Sequence, residues 1–132
     1  MFRRYTVIGA VSALLCVAIG AFGAHGLDGK ITERMMANYH TGVQYHMFHS
    51  LGILIIGLVG AFADRLDTRA AAHVRRAGGF LLTGIILFSG SLYVMALTGK
   101  TWLGAITPFG GLAFLAGWAF LAAAGLRIGK KK

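Results

Sequence analysis

Residues 5–27 read YTVIGAVSALLCVAIGAFGAHGL and, with His25 counted as neutral, carry no charge. A helix needs about 20 apolar residues to cross the hydrocarbon core of a bilayer. A helix on the outside of a water-soluble bundle shows charge on every turn of its outer face; this stretch shows none. Working outward, Met35 to Ala63, Ala77 to Gly99 and Thr101 to Leu126 are uncharged in the same way. None of these runs alternates like the roughly ten-residue strands of a membrane barrel. In lipid only helices and closed barrels satisfy the backbone, so helices remain. The expected fold is all-α: one integral membrane domain over residues 1–132, a four-helix bundle with spans at about 5–25, 42–63, 77–98 and 107–126.

The second run is longer than a span requires, and its front is polar, with Asn38, Tyr39, His40, Thr41, Gln44, Tyr45, His46 and His49. Its span is therefore expected to start at Gly42, leaving 29–39 as a short amphipathic helix on the membrane surface, capped by Asp28. The apolar stretch after Arg3 and Arg4 exceeds the 7–15 residues of a secretory signal and reads as an uncleaved span.

Composition agrees. Of 132 residues 57% are hydrophobic and only 13% charged, against about 25% charged in a soluble domain. Disorder is excluded by the same numbers. The net charge of +9 comes from 13 Lys and Arg against 4 Asp and Glu, and its distribution explains it. Arg3, Arg4, Arg65, Arg69, Arg75, Arg76, Arg127, Lys130, Lys131 and Lys132 fall on one side of the four spans; only Lys30, Arg34 and Lys100 fall on the other. Cytoplasmic flanks carry the excess of Lys and Arg, so the expected orientation is N-in and C-in, multi-pass, in a bacterial cytoplasmic (inner) membrane. The flanks suit anionic lipid heads; they form no basic face for nucleic acid. His73, among these arginines, is expected to be solvated.

Small residues at four-residue spacing, Gly9-xxx-Ala13, Gly20-xxx-Ala24, Gly57-xxx-Ala61 and Ala113-xxx-Gly117, let helices approach closely in lipid. Some of these faces suit a second copy, giving a homo-oligomer. Tyr5, Tyr45 and Trp102 sit where interface anchors belong. Cys16 stands alone in the first span and reads as an inert buried thiol.

Polar groups inside a span are costly and face protein or water. In the N-in orientation His25, His46, His49, Ser89, Ser91, Tyr93 and Thr107 gather in the outer layer, over inner halves that are nearly pure aliphatic. Thr107, before Pro108 in a helix's first turn, is a natural N-cap. His46 and His49, three apart, lie about 60° from each other on one helix face. With His25 they are candidate ligands for zinc or copper. No Asp, Glu or Cys within the membrane completes such a site, although Asp28 and Glu33 stand in the adjoining loop. Neutral histidines and a tyrosine hydrogen-bonding between helices carry more weight, with a small-molecule or quinone pocket as the other alternative.

The same residues carry a resemblance. Gly20-Ala21-Phe22-Gly23-Ala24-His25-Gly26, Gln44-Tyr45-His46-Met47-Phe48-His49, Leu87-Phe88-Ser89-Gly90-Ser91-Leu92-Tyr93 with Ala96-Leu97, and Thr107-Pro108-Phe109-Gly110-Gly111 with Gly117-Trp118 follow in order. Together they resemble the YgdD/YwdK family of small bacterial inner-membrane proteins, which has a eukaryotic transmembrane relative. The resemblance spans nearly the whole chain. It implies a four-helix integral membrane protein and no particular activity. His25 and His49 fall on the family's histidine positions, whereas position 46 is Gln in some relatives, and Gln ligates metal poorly.

A catalytic site needs a nucleophile–base pair or perturbed carboxylates, and the pattern offers neither; no catalytic residue and no cofactor is assigned. The leading expectation is a non-enzymatic binding or accessory module. The alternatives are a redox, quinone or metal-associated protein using the histidines, and a small oligomeric transporter or channel.

Overall fold

The first uncharged run forms α1, Phe2–Gly26. It ends in a tight turn, where Lys30 N–H donates to Leu27 O and Gly29 takes a left-handed φ of 72°. These elements belong to a computed structural model that describes residues 1–128 and 130. Among the described residues all regular structure is helical, and four helical columns are long and apolar enough to cross a membrane. Lys131 and Lys132, counted above among the inner flanks, lie outside the described residues.

The second column differs from expectation. α2 runs unbroken over Glu33–Leu66, so no separate surface helix occupies 29–39, and the cap is Thr32 rather than Asp28. The Thr32 hydroxyl accepts from Met35 N–H at 3.2 Å. The physical reason is packing. The polar front of the run places Tyr39 against Gly23 of α1, where its hydroxyl donates to Ile19 O. No Gly or Pro interrupts 33–41 to break the helix before the span. At about 1.5 Å per residue α2 is roughly 50 Å long, well beyond a hydrocarbon core of about 30 Å.

Asp67 alone separates α2 from α3, Thr68–Gly84. Its backbone is extended, and its carboxylate accepts from the N–H groups of Arg69 and Ala70 at 2.8 Å each. The segment expected as a basic loop is therefore helix. Ala70, Ala71 and Val74 are buried there, giving it a core face of its own. The third column continues through a π-helical turn, Ile85–Ser89, into α4, Gly90–Thr98, which stops at Gly99 in the left-handed region. A 3₁₀ turn, Thr101–Ala105, leads to α5, Thr107–Ile128.

The columns pack in series. α1 lies on α2, the third column lies between α2 and α5, and α2 and α5 stand apart in backbone and meet mainly through side chains. The apolar windows of α1 and α5 are accordingly only 22% and 28% buried, against 50% and 44% for the two central columns. Glycines make the contacts: Gly9 sits under Leu54, Gly57 under Thr6, Gly84 under Phe114 and Gly117 under Leu81. The main core gathers Tyr5, Ile53, Ile56, Val74, Leu81, Ile85 and Phe114. Tyr5 ties α1 to α3 by donating to Arg75 O at 2.8 Å. The Met1 amino group lies 3.7 Å from Asp64, so the start of α1 shares one end of the bundle with the Asp67 turn.

Candidate functional site

α2 sends its two inward histidines to different neighbours. His46, 5% exposed, turns toward α1 and α4. Its Nε2 is 3.1 Å from Ser12 Oγ and its Nδ1 is 2.9 Å from Tyr93 Oη. Ser12 Oγ is 2.6 Å from Ser50 Oγ, and Ser50 donates to His46 O at 2.7 Å. A carbonyl only accepts, which fixes every proton upstream of it. Ser50 spends its proton on the carbonyl, so Ser12 donates to Ser50. His46 Nε2–H then donates to Ser12, leaving Nδ1 to accept from the Tyr93 hydroxyl. The chain Tyr93–His46–Ser12–Ser50 runs one way across three columns and closes on the backbone.

His49, 3% exposed, turns the other way, toward α5. Trp118 Nε1–H donates to its Nε2 at 3.1 Å, and its Nδ1 is 2.7 Å from Tyr45 O. An indole N–H only donates, so Nε2 accepts and Nδ1 carries the proton to the carbonyl. The ring is stacked on Phe114 with centroids 3.5 Å apart and planes at 11°. Both nitrogens are engaged and both belong to a neutral imidazole.

The remaining expected site residues separate into smaller pairs. Ser89, fully buried, donates to Gly42 O at 2.7 Å. Ser91 donates to Phe88 O at 2.9 Å, so Thr107 donates to Ser91 across 2.6 Å. Thr107 is the first residue of α5, and its hydroxyl serves α4. His25 is exposed in the last turn of α1 and joins neither histidine. Among the described residues no three His, Cys, Asp or Glu side chains are grouped to hold a metal ion. His73, expected to be solvated, is half-buried, its ring 5.7 Å from that of Phe120 and its Nδ1 without a partner among the described residues.

Two features escaped the sequence reading. Ser12 and Ser50 stand near the midpoints of α1 and α2, so the polar set reaches the middle of the bundle instead of staying in one outer layer. The network also sets a serine hydroxyl beside an imidazole, the geometry of a nucleophile and its base. Here, however, Ser12 is buried, and its hydroxyl accepts from the imidazole and donates to Ser50. Neither Ser12 nor His46 lines the groove described below or the smaller pocket beside Cys16.

The cavity worth noting lies between α2 and α5, where those helices stand apart. It is a groove of about 860 Å³, open at the side, with His49, Tyr45, Phe48, Phe88, Phe114 and Trp118 among its walls and Gln44 at its rim. The π turn helps to build it. The wider turn sets Phe88 with its ring 4.5 Å from that of Tyr45 and 5.5 Å from that of Phe114. Gly110 lets α5 press on the Phe88 backbone. π turns inside α-helices are frequent at functional sites.

A family model described as protein of unknown function (DUF423) matches residues 19–111, from the C-terminal part of α1 to the start of α5. UPF0382 membrane protein YwdK of Bacillus subtilis is 46% identical, covering 95% of this chain and 98% of its own. That relative bears out the resemblance drawn from the motifs. UPF0382 membrane proteins of Staphylococcus haemolyticus and Staphylococcus epidermidis are 44% and 43% identical, covering 90% and 95% of this chain and 92% and 97% of theirs. No solved structure matches the chain.

Proposed function

The chain belongs to the DUF423 family of membrane proteins, and from that premise we propose that it is a non-enzymatic binding module of the bacterial cytoplasmic membrane, N-in and C-in, holding a lipophilic ligand between α2 and α5. The observation that carries this reading is a contrast. His46, His49, Ser12, Ser50 and Tyr93 are spent on one another, on Trp118 or on backbone carbonyls, while the groove beside them is large, aromatic and open. Ligand sites are mostly apolar concavities of roughly 300–1,000 Å³ with a few polar groups at fixed places, and this groove fits that description. His49, bonded to Trp118, then ties α2 to α5 along the wall of the groove.

The test is co-purification. Wild-type protein and Gly111→Leu are extracted into polymer-bounded native nanodiscs, and the retained small molecules are quantified against bulk membrane. Gly111 lines the groove, and a Cβ built on it meets nothing within 4 Å, so the leucine fills the groove without straining the helix. The expected result is an amphiphile enriched with the wild type and absent from the variant. If the two samples carry the same molecules in the same proportions, the binding reading fails.

A further inference from the structure

Resting on that binding reading, we infer that the groove takes an uncharged amphiphile with a flat conjugated head, the class of the isoprenoid quinones, with its head near Gln44 and Tyr45 and its chain toward the middle of the bundle. Three observations converge on this class. First, no wall residue carries a charge. A phosphate or ammonium head would lie there unpaired, against the cost of burying charge, so the head is neutral. Second, the walls are aromatic. His49 and Phe114 form one stacked pair, Tyr45 is also stacked near-parallel to Phe114 at 21°, and the Phe48 and Trp118 rings stand 5.6 Å apart. Aromatic rings prefer offset or edge-on contacts with other rings, so an aromatic lining favours a ring head over a bundle of alkyl chains. His49 offers the head no hydrogen bond, because both its nitrogens are engaged.

Third, the groove is polar at one end. Gln44 and Tyr45 are both exposed and share that end with Pro108, at the start of α5. Leu115 and Trp118 line it farther along the helix. A carbonyl on a ring head meets a donor in the Gln44 amide or the Tyr45 hydroxyl. An unsubstituted acyl chain, or an apolar helix from a second copy, would leave both groups facing hydrocarbon.

The experiment uses the full chain with Trp102→Phe, which leaves Trp118 as the reporter because the chain has 2 tryptophans. The protein is placed in phosphatidylcholine nanodiscs and titrated with a short-chain benzoquinone, which quenches indole emission on contact. Saturable quenching is expected, lost in Gly111→Leu and about tenfold weaker in Gln44→Leu, with helical circular dichroism unchanged in both. Diacylglycerol, neutral but ringless, is expected not to compete. Linear quenching that Gly111→Leu leaves intact overturns the inference, as does displacement by diacylglycerol. If the native nanodiscs retain a phospholipid in place of a ring compound, the inference falls while the binding reading stands. If they retain nothing specific, the binding reading itself falls.

Discussion

At the scale of single residues, the Tyr93–His46–Ser12–Ser50 chain makes a claim about energy. Interhelical hydrogen bonds in membranes average about 0.6 kcal/mol and reach about 1.7, while an orphaned buried donor costs about 1–3 kcal/mol. Ser12→Ala strands His46 Nε2–H and is expected to destabilise the protein by about 1 kcal/mol. Tyr93→Phe leaves Nδ1 without its donor and is expected to cost a little less, about 0.6 kcal/mol. His46→Gln keeps one donor and one acceptor and should unfold later than His46→Leu in a mixed-micelle titration. Equal midpoints for the two His46 variants would show that the chain holds nothing. His46 and Tyr93 were legible in the sequence because polar side chains stand out in an apolar span. Ser12 was not, because a hydroxyl in a helix can satisfy itself on the carbonyl four residues back. Thr41, Thr83 and Thr98 do so, donating to Ala37, Gly79 and Val94. A lone serine therefore gives no sign of whether it reaches another helix.

At the scale of elements, two glycines side by side in α5 have opposite roles. A Cβ on Gly110 would meet the Phe88 backbone, which has no room to yield, whereas Gly111 faces open space. Gly110→Ala is expected to push α5 off the π turn and cost about 1–3 kcal/mol, the range for overpacking; Gly111→Ala should be close to neutral. Thermal unfolding in detergent measures both, and equal effects would remove the close approach at Phe88 from the account. The Asp67 cap gives a pH dependence. Its bonds from Ala70 and Arg69 N–H, with Arg127 and Arg69 nearby, hold its carboxyl below the usual carboxylate range. Its contribution is therefore full above the ordinary aspartate pKa and fades as pH falls through the lowered value. Hydrogen exchange at Arg69 and Ala70 should quicken relative to the interior of α3 in that acid window, and in Asp67→Ala at neutral pH. Exchange in that variant no faster than in the wild type would end the idea. The break at Asp67 was harder to read than the spans. The charges of 64–76 look like a loop, yet Ala70, Ala71 and Val74 supply a buried helical face. The reverse held for 29–39, where polar residues suggested a surface helix and Tyr39 instead carried α2 up alongside α1.

At the scale of the whole molecule, the number and type of the spans were legible because lipid leaves no alternative to helix for long uncharged runs. Their neighbours were not. A column that is apolar all round has no amphipathic stripe to say which side faces protein, so nothing in the residue pattern foretold that α2 and α5 stand apart and leave the groove. Orientation rests on charge alone. The Met1 amino group near Asp64, and Arg127 close enough to Asp67 to act on its carboxyl, put the start of α1, the α2–α3 turn and the end of α5 at one end of the bundle. That end gathers Arg3, Arg4, Arg65, Arg69, Arg75, Arg76 and Arg127, while the opposite connections hold Lys30, Arg34 and Lys100. Basic residues within short flanks resist translocation, so the proposed orientation puts the crowded end in the cytoplasm. A fluorescent protein fused after the last residue should glow and alkaline phosphatase fused there should be inactive. The reporters should reverse when inserted at Gly29, whose left-handed turn has open space around it. Active phosphatase at the C-terminus would invert the molecule and turn the Gln44–Tyr45 end of the groove toward the cytoplasm, so the side from which a ligand's polar head is reached depends on this one result.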